Sequence, residues 1–234
     1  MSEVQKPKGP VKAVIFDMDG LLLDTEGIYT EVTDTIAKWH GKTFDWAVKQ
    51  HSIGRGSQDF AEYVIRALEL PMSPEEFLTV RQPMLDERFP NAKPMRGAEA
   101  LVRHLAEHNI PIAVGTSSSL HYFHAKTSNH RAWFELFKDV VTADHAEVTA
   151  AKPAPDIFLA AARHLGVDPK DCVVFEDSPF GVTAAKTAGM YAVAVPDSHM
   201  PIEQYAHADL ILGSLTEFPL EDWGLPGFAT AHLN

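Results

Sequence analysis

Sulfur chemistry and long apolar runs are almost missing from this chain. Its 234 residues hold one cysteine, Cys172, so an intrachain disulfide is impossible and a reducing compartment is implied. That cysteine opens the apolar run Cys172-Val173-Val174-Phe175, the setting of a buried and inert thiol. No apolar stretch approaches the length that spans a bilayer. Residues 1–10 are polar, with Lys, Pro and Gly and without the apolar segment of a signal peptide. They read as a flexible leader, and the protein as cytoplasmic with no membrane partner. Basic residues are short as well: 20 Lys and Arg against 32 Asp and Glu give a formal net charge of −12. Duplex nucleic acid demands a basic face, so no nucleic-acid partner is expected. A local positive site for an anionic substrate stays compatible with that balance. Repeats and low-complexity tracts are absent too.

What is present is an alternation of short β-rich runs and helical patterns. Strands are predicted at 11–16, 112–116, 140–142, 172–175, 191–195 and 210–212, with helices at 98–108, 120–130, 156–165 and 180–188 between them. Strands separated by helices imply βαβ units and a mostly parallel sheet covered on both faces. One stretch breaks the rhythm. Residues 25–91 carry helical patterning and almost no strand signal, with helices expected at 26–39, 57–68 and 74–88 and a helix start at Ser73-Pro74-Glu75-Glu76. Phe89-Pro90-Asn91-Ala92-Lys93-Pro94 reads as the linker back. A helical module inserted after the first strand would overhang the carboxyl end of the sheet, where a lid sits. The expected organisation is therefore an α/β core at 11–24 and 92–234 and an α-helical cap at 25–91.

Chemistry concentrates at strand ends. The first strand runs into Asp17-Met18-Asp19-Gly20, two carboxylates where open α/β sheets bind ligands. A divalent cation could hold them, although Asp and Gly also suit a simple turn. The second candidate is Gly115-Thr116-Ser117-Ser118-Ser119, either an anion cradle or an ordinary helix cap. Lys152, fixed between Ala151 and Pro153, suits a phosphate or a carboxylate cluster, though taken alone it reads first as a surface lysine. The fourth is Glu176-Asp177, again at the end of an apolar strand. Two strands of one sheet ending in acidic pairs suit a divalent cation with hard oxygen ligands.

These four motifs in order resemble the haloacid dehalogenase superfamily, in the branch with a helical cap after the first motif. Asp17-Met18-Asp19-Gly20 followed by Leu22-Leu23-Asp24-Thr25-Glu26 matches its first motif, Thr116 the second, Lys152 the third and Glu176-Asp177 the fourth. The resemblance covers roughly residues 11–225 and implies a Rossmann-like core. Within the family, runs such as Lys126-Thr127-Ser128-Asn129-His130 and Lys152-Pro153-Ala154-Pro155-Asp156 resemble the pseudouridine-5′-phosphatase and glycerol-phosphate phosphatase group.

The resemblance implies hydrolysis of a small phosphomonoester, a small phosphorylated metabolite as partner, and Mg²⁺ as cofactor. Asp17 would be the nucleophile and Asp19 the acid and base, with Lys152 neutralising charge. Thr116, Ser117 and Lys152 would bind the phosphoryl oxygens. Asp17, the Asp19 carbonyl and Asp177 would hold the metal, with Glu176 acting through its waters. Glu26, Ile28 and the loop Ile53-Gly54-Arg55-Gly56-Ser57 would select the leaving group, Arg55 being equally readable as a solvated loop residue. A sugar phosphomutase shares all four motifs, and a non-catalytic binding protein on this scaffold is the reading from another class. A monomer or weak homo-oligomer is expected. His104-Leu105-Ala106-Glu107-His108 matches a zinc pattern but offers no third ligand. Gly54-Arg55-Gly56 lacks both the preceding strand and the third glycine of a dinucleotide fingerprint.

Overall fold

The computed structural model describes residues 7, 9–53 and 55–228. Most of the leader and Gly54 therefore lie outside the described residues. In chain order the strands are β1 (Ala13–Phe16), β2 (Leu23–Asp24), β3 (Lys93–Pro94), β4 (Ile112–Gly115), β5 (Asp139–Val141), β6 (Cys172–Glu176), β7 (Tyr191–Ala194) and β8 (Leu210–Ile211). The helices are α1 (Glu26–Trp39), α2 (Trp46–Lys49), α3 (Ser57–Leu68), α4 (Pro74–Arg88), α5 (Ala98–Glu107), α6 (Leu120–Thr127), α7 (Arg131–Phe134), α8 (Asp156–Leu165) and α9 (Pro179–Thr187). All six expected core strands are found, within two residues at each end.

Six strands form one parallel sheet in the order β5-β4-β1-β6-β7-β8. The chain leaves central β1 toward β4 on one side and returns to β6 on the other. That reversal opens a crevice at the carboxyl ends of β1, β4 and β6, where ligands bind in open sheets.

Strand alternation divides the interior into two cores of different grain. Val14, Phe16, Val114, Val173, Phe175 and Val193 point into one cluster, which is filled by large residues such as Trp133, Phe218 and Trp223. Ala13, Ile15, Ala113, Cys172, Val174 and Ala192 point into the other, rich in alanines of α8 and α9. Small side chains let those two helices approach the sheet closely. Both faces are thus buried, and the strands are apolar throughout, as parallel strands require. Cys172 is buried there, and burial pushes its thiol up to about 12, which removes it from nucleophilic chemistry.

Between β2 and β3 the chain builds a helical layer with an apolar cluster of its own. Val32 and Ile36 from α1, Phe60 and Val64 from α3, and Phe77 and Leu85 from α4 meet in it. The Ser73 side chain accepts from the Glu76 N–H at 3.1 Å and Glu76 accepts from the Ser73 N–H at 2.7 Å, a reciprocal cap that starts α4. The pairing of β2 with β3 was not expected. It is antiparallel, with Leu23 opposite Pro94 and Asp24 opposite Lys93, and it ties together the two connections of the helical segment. Among the described residues no helix is long and apolar enough to cross a membrane.

His164, in the last turn of α8, ties the start of β5 to the loop that carries Glu147. Its Nε2 lies 2.9 Å from Glu147 and its Nδ1 contacts Asp139. Hydrogen bonds to Glu147 and Asp139 hold its pKa above the ordinary 6.5. A raised histidine pKa adds stability that is fully present below the unfolded value and is lost as pH rises through the folded one. Urea titrations from pH 5.5 to 8.5 should therefore show wild type losing its stability advantage over His164→Gln toward alkaline pH. Parallel curves for the two proteins would rule this linkage out.

Candidate active site

The crevice gathers the side chains of all four sequence motifs. Asp17 follows β1, and its N–H is bonded to the Phe175 carbonyl of β6 at 3.0 Å, so its position is set by the sheet ladder. Its carboxylate is buried and accepts from Lys152 Nζ at 2.6 Å. The same ammonium reaches Glu176 Oε1 at 2.6 Å and the Gly115 carbonyl at 3.1 Å. Lys152 arrives from a loop that Asp156 pins, accepting at 2.9 and 3.0 Å from the Thr149 and Ala150 N–H groups. The Lys152–Pro153 bond is cis.

Glu176 is fully buried with both oxygens occupied. Oε1 meets Lys152, and Oε2 accepts from the Ser178 N–H at 2.8 Å and hydroxyl at 3.0 Å. Gly181 in the first turn of α9 makes room for that carboxylate, because a β-carbon there would overlap it. Gly20, at φ +75°, does the same for Asp177 Oδ2.

Asp17, Glu176 and Asp177 present ligand atoms within 4.8 Å of one another, the one such metal-competent group among the described residues. Burial pushes Asp17 up to about 7, opposed by Lys152 and reinforced by Glu176 and Asp19. Burial, then the Glu176 and Asp17 charges, raises Asp177 well above the usual carboxylate range. Counting Asp19, four carboxylates meet two lysines at these strand ends, Lys152 and Lys126. A hard divalent cation would relieve that excess, and the all-oxygen donor set fits Mg²⁺.

Asp19 is oriented away from this cluster by a residue given no role in the sequence reading. Lys126 of α6 is completely buried. Its ammonium is ion-paired with Asp19 Oδ1 and donates to the Tyr29 hydroxyl at 2.8 Å and the Ser118 hydroxyl at 2.7 Å. Thr25 donates to Asp19 Oδ1 at 2.6 Å and Ser118 to Oδ2 at 2.8 Å. Burial alone would raise Asp19, but the Lys126 charge and hydrogen bond, with those of Thr25 and Ser118, bring it below its ordinary value.

The hydroxyl run after β4 divides its labour. Ser119 caps α6, accepting from the Tyr122 N–H at 3.4 Å. Ser117 and Ser118 line the cavity. Thr116 is fully buried behind Asp19, donating to it at 3.4 Å and accepting from the Ser118 N–H at 3.1 Å. Opposite stand helices α1 to α4, which contribute Glu26, Tyr29, Lys49, Phe60 and Arg81, and the connection between α2 and α3, which contributes Ile53 and Arg55. Glu26 pairs with Lys49 at 3.5 Å. Arg55 is a cavity residue anchored to the His51 carbonyl at 2.7 Å and lying over the rings of Tyr63 and Phe180. Ile28 instead packs into the apolar clusters. His104 is committed to the Pro226 carbonyl at 2.7 Å, outside any metal cluster. His121 is exposed and meets Asp86 of α4 at 2.8 Å.

The chain is similar to known proteins in sequence and in fold. Residues 11–189 match the haloacid dehalogenase-like hydrolase family. The chain is 45% identical over 226 residues to (DL)-glycerol-3-phosphatase 2 of Arabidopsis thaliana, covering 94% of each chain. It is also 45% identical over 217 residues to a probable pseudouridine-5′-phosphatase of Drosophila melanogaster, covering 92% of this chain and 94% of that one. The crystal structure of CbbY from Rhodobacter sphaeroides with phosphate superposes with a TM-score of 0.78 at 25% identity, over 92% of this chain and all of that one.

Two substitutions probe the buried charges. Lys126→Met strands Asp19 without its cation, and breaking a buried pair typically costs about 3 kcal/mol. Urea unfolding should show that loss, with part recovered in the Asp19→Asn, Lys126→Met double variant. Gly181→Ala should displace Glu176 and thereby free Lys152. Its melting temperature should fall and its turnover of any substrate should drop with it.

Proposed function

Since the chain belongs to the haloacid dehalogenase-like hydrolases, we propose that it is a Mg²⁺-dependent phosphatase of a small phosphomonoester, acting through an aspartyl-phosphate. The observation that carries this reading is the convergence of Asp17, Asp19, Lys152, Glu176 and Asp177 in one cavity roofed by helices. The curated relatives named above act on glycerol 3-phosphate and, in the probable assignment, pseudouridine 5′-phosphate. Both are phosphate esters of alcohols.

Asp17, Asp177 and the Asp19 carbonyl would hold Mg²⁺, with Glu176 beside them. The ion's charge would neutralise the carboxylates and draw in the phosphate dianion. Asp17 attacks phosphorus, the ester P–O bond breaks, and the alcohol departs with a proton. Water then attacks the acyl phosphate and returns Asp17. Lys152, held by Asp17 and Glu176, is placed to meet the phosphoryl oxygens. So are the Ser117 and Ser118 groups at the cavity wall. Because the transition state is loose, positioning and charge neutralisation are most of what the protein supplies.

Asp19 does the proton work. The leaving group is an alkoxide, which needs an acid, and the incoming water needs a base. Lys126, Thr25 and Ser118 keep Asp19 in the ionised form, the one required when water attacks. For the first step Asp19 must carry a proton and turn from these donors toward the ester oxygen.

The test is phosphate release from glycerol 3-phosphate, pseudouridine 5′-phosphate and a wider panel of sugar and nucleotide phosphates, with and without Mg²⁺. Asp17→Asn should cut kcat by about a thousandfold or more, and chelation should abolish turnover. An Asp17→Asn protein as fast as wild type would overturn the mechanism.

A further inference from the structure

Arg81 is the buried cation that lacks a counterion. It lies on α4, 4% exposed, and lines the same cavity as Asp17 and Asp19. Lys126 and Lys152, buried as deeply, are both ion-paired. The Arg81 guanidinium has no ion pair or hydrogen bond among the described residues, and its Nε is buried without a partner. Aromatic rings surround it instead. Its central carbon is 4.2 Å from the centroid of Phe60 and 4.8 Å from that of Tyr29.

Ring faces stabilise a guanidinium but do not satisfy its N–H edge, which carries five donors in a fixed fork. Leaving those donors dry is costly. An aromatic clamp that fixes the plane while the edge stays unfilled is the form of a binding group awaiting an acceptor. Among the described residues no lining carboxylate pairs with Arg81: Glu26 is taken by Lys49 and Asp19 by Lys126, while Asp177 belongs to the acidic cluster with Asp17 and Glu176. The acceptor therefore comes with the substrate. Asp17, Asp19 and Asp177 crowd the cavity floor, so the phosphoryl group docks there and the alcohol portion points to the roof.

We propose that Arg81 is the specificity-determining residue, donating to neutral oxygen acceptors, hydroxyl or carbonyl, on the leaving group. Neutral oxygens are favoured over a second anion because the cavity lining already sets Asp17, Asp19, Glu26, Glu176 and Asp177 against Lys49, Arg55, Arg81 and Lys152, and the docked phosphate adds further negative charge. This rests on the phosphatase reading above. It goes further in naming the residue that reads the alcohol and what it reads.

The experiment measures kcat/KM with Mg²⁺ for glycerol 3-phosphate, n-propyl phosphate and phosphoglycolate, in wild type, Arg81→Met and Arg81→Lys. n-Propyl phosphate keeps the chain length of glycerol and lacks its hydroxyls, and phosphoglycolate carries a carboxylate. Wild type should prefer glycerol 3-phosphate over n-propyl phosphate, and Arg81→Met should shrink that ratio by about tenfold or more. Arg81→Lys keeps the charge but not the fork, so the ratio should shrink less. It also decides the matter should the Met variant fail to fold. An unchanged ratio, with both esters falling in parallel, would assign Arg81 to packing and overturn the proposal. A preference for phosphoglycolate that is lost in Arg81→Met would overturn the neutral-acceptor assignment. Hydrolysis of none of the three or of the wider panel by wild type would instead remove the phosphatase reading beneath it.

Discussion

Everything at the catalytic end of this molecule depends on Lys152 standing between Asp17 and Glu176. Carboxylates at the ends of buried parallel strands are expensive, since each loses water and repels its neighbours. One ammonium, bonded to both acids and to the Gly115 carbonyl, links three adjacent strand ends, β4, β1 and β6, through a single point. Remaining polar details serve that point. Asp156 fixes the loop that delivers the lysine, Ser178 takes the far side of Glu176, and Gly181 leaves the space in which Glu176 lies. The site is thus prestressed by like charge and held by one cation. An excess of buried like charge of this kind is what a divalent cation would relieve.

Much of this could be read in the chain before folding, because it is local. A strand is short and apolar, and its end is marked by whatever polar residue follows. Asp17, Thr116, Lys152 and Glu176-Asp177 each adjoin a strand or a rigid turn, and parallel topology alone brings strand ends together. Helices α1, α3, α4 and α8 begin and end where their caps and apolar spacing place them. The residues to which the sequence assigned no role act at a distance. Lys126 sits 107 positions from Asp19, inside a helix with no unusual pattern. A lysine there reads as a solvated face until packing against Tyr29 and Phe89 encloses it. Arg81 is similarly disguised among the charged residues of α4. The signal for both exists only in three dimensions: a buried cation implies a partner, found or still to come.

The two halves of the cavity therefore carry different chemistry. The floor is built on strand ends and is rich in carboxylates, the part that under the proposed reading meets the phosphoryl group. The roof is built on helices and mixes aromatic rings with Arg55, Arg81, Lys49 and Glu26. Tyr29 touches both, being bonded to Lys126 and lying under Arg81. It thus links the Lys126–Asp19 pair to the aromatic setting of Arg81.

The short antiparallel pair of β2 and β3 has a consequence for how such proteins diversify. Because Leu23 faces Pro94 and Asp24 faces Lys93, the helical segment leaves and rejoins the sheet at one stapled junction. To the core, the insertion is a loop already closed, whose contents do not alter the distance between its ends. Lengthening, shortening or replacing it changes closure entropy only logarithmically and moves neither β1 nor β4. A junction of four residues thus makes the helical segment mechanically separable from the strands that carry the acidic cluster.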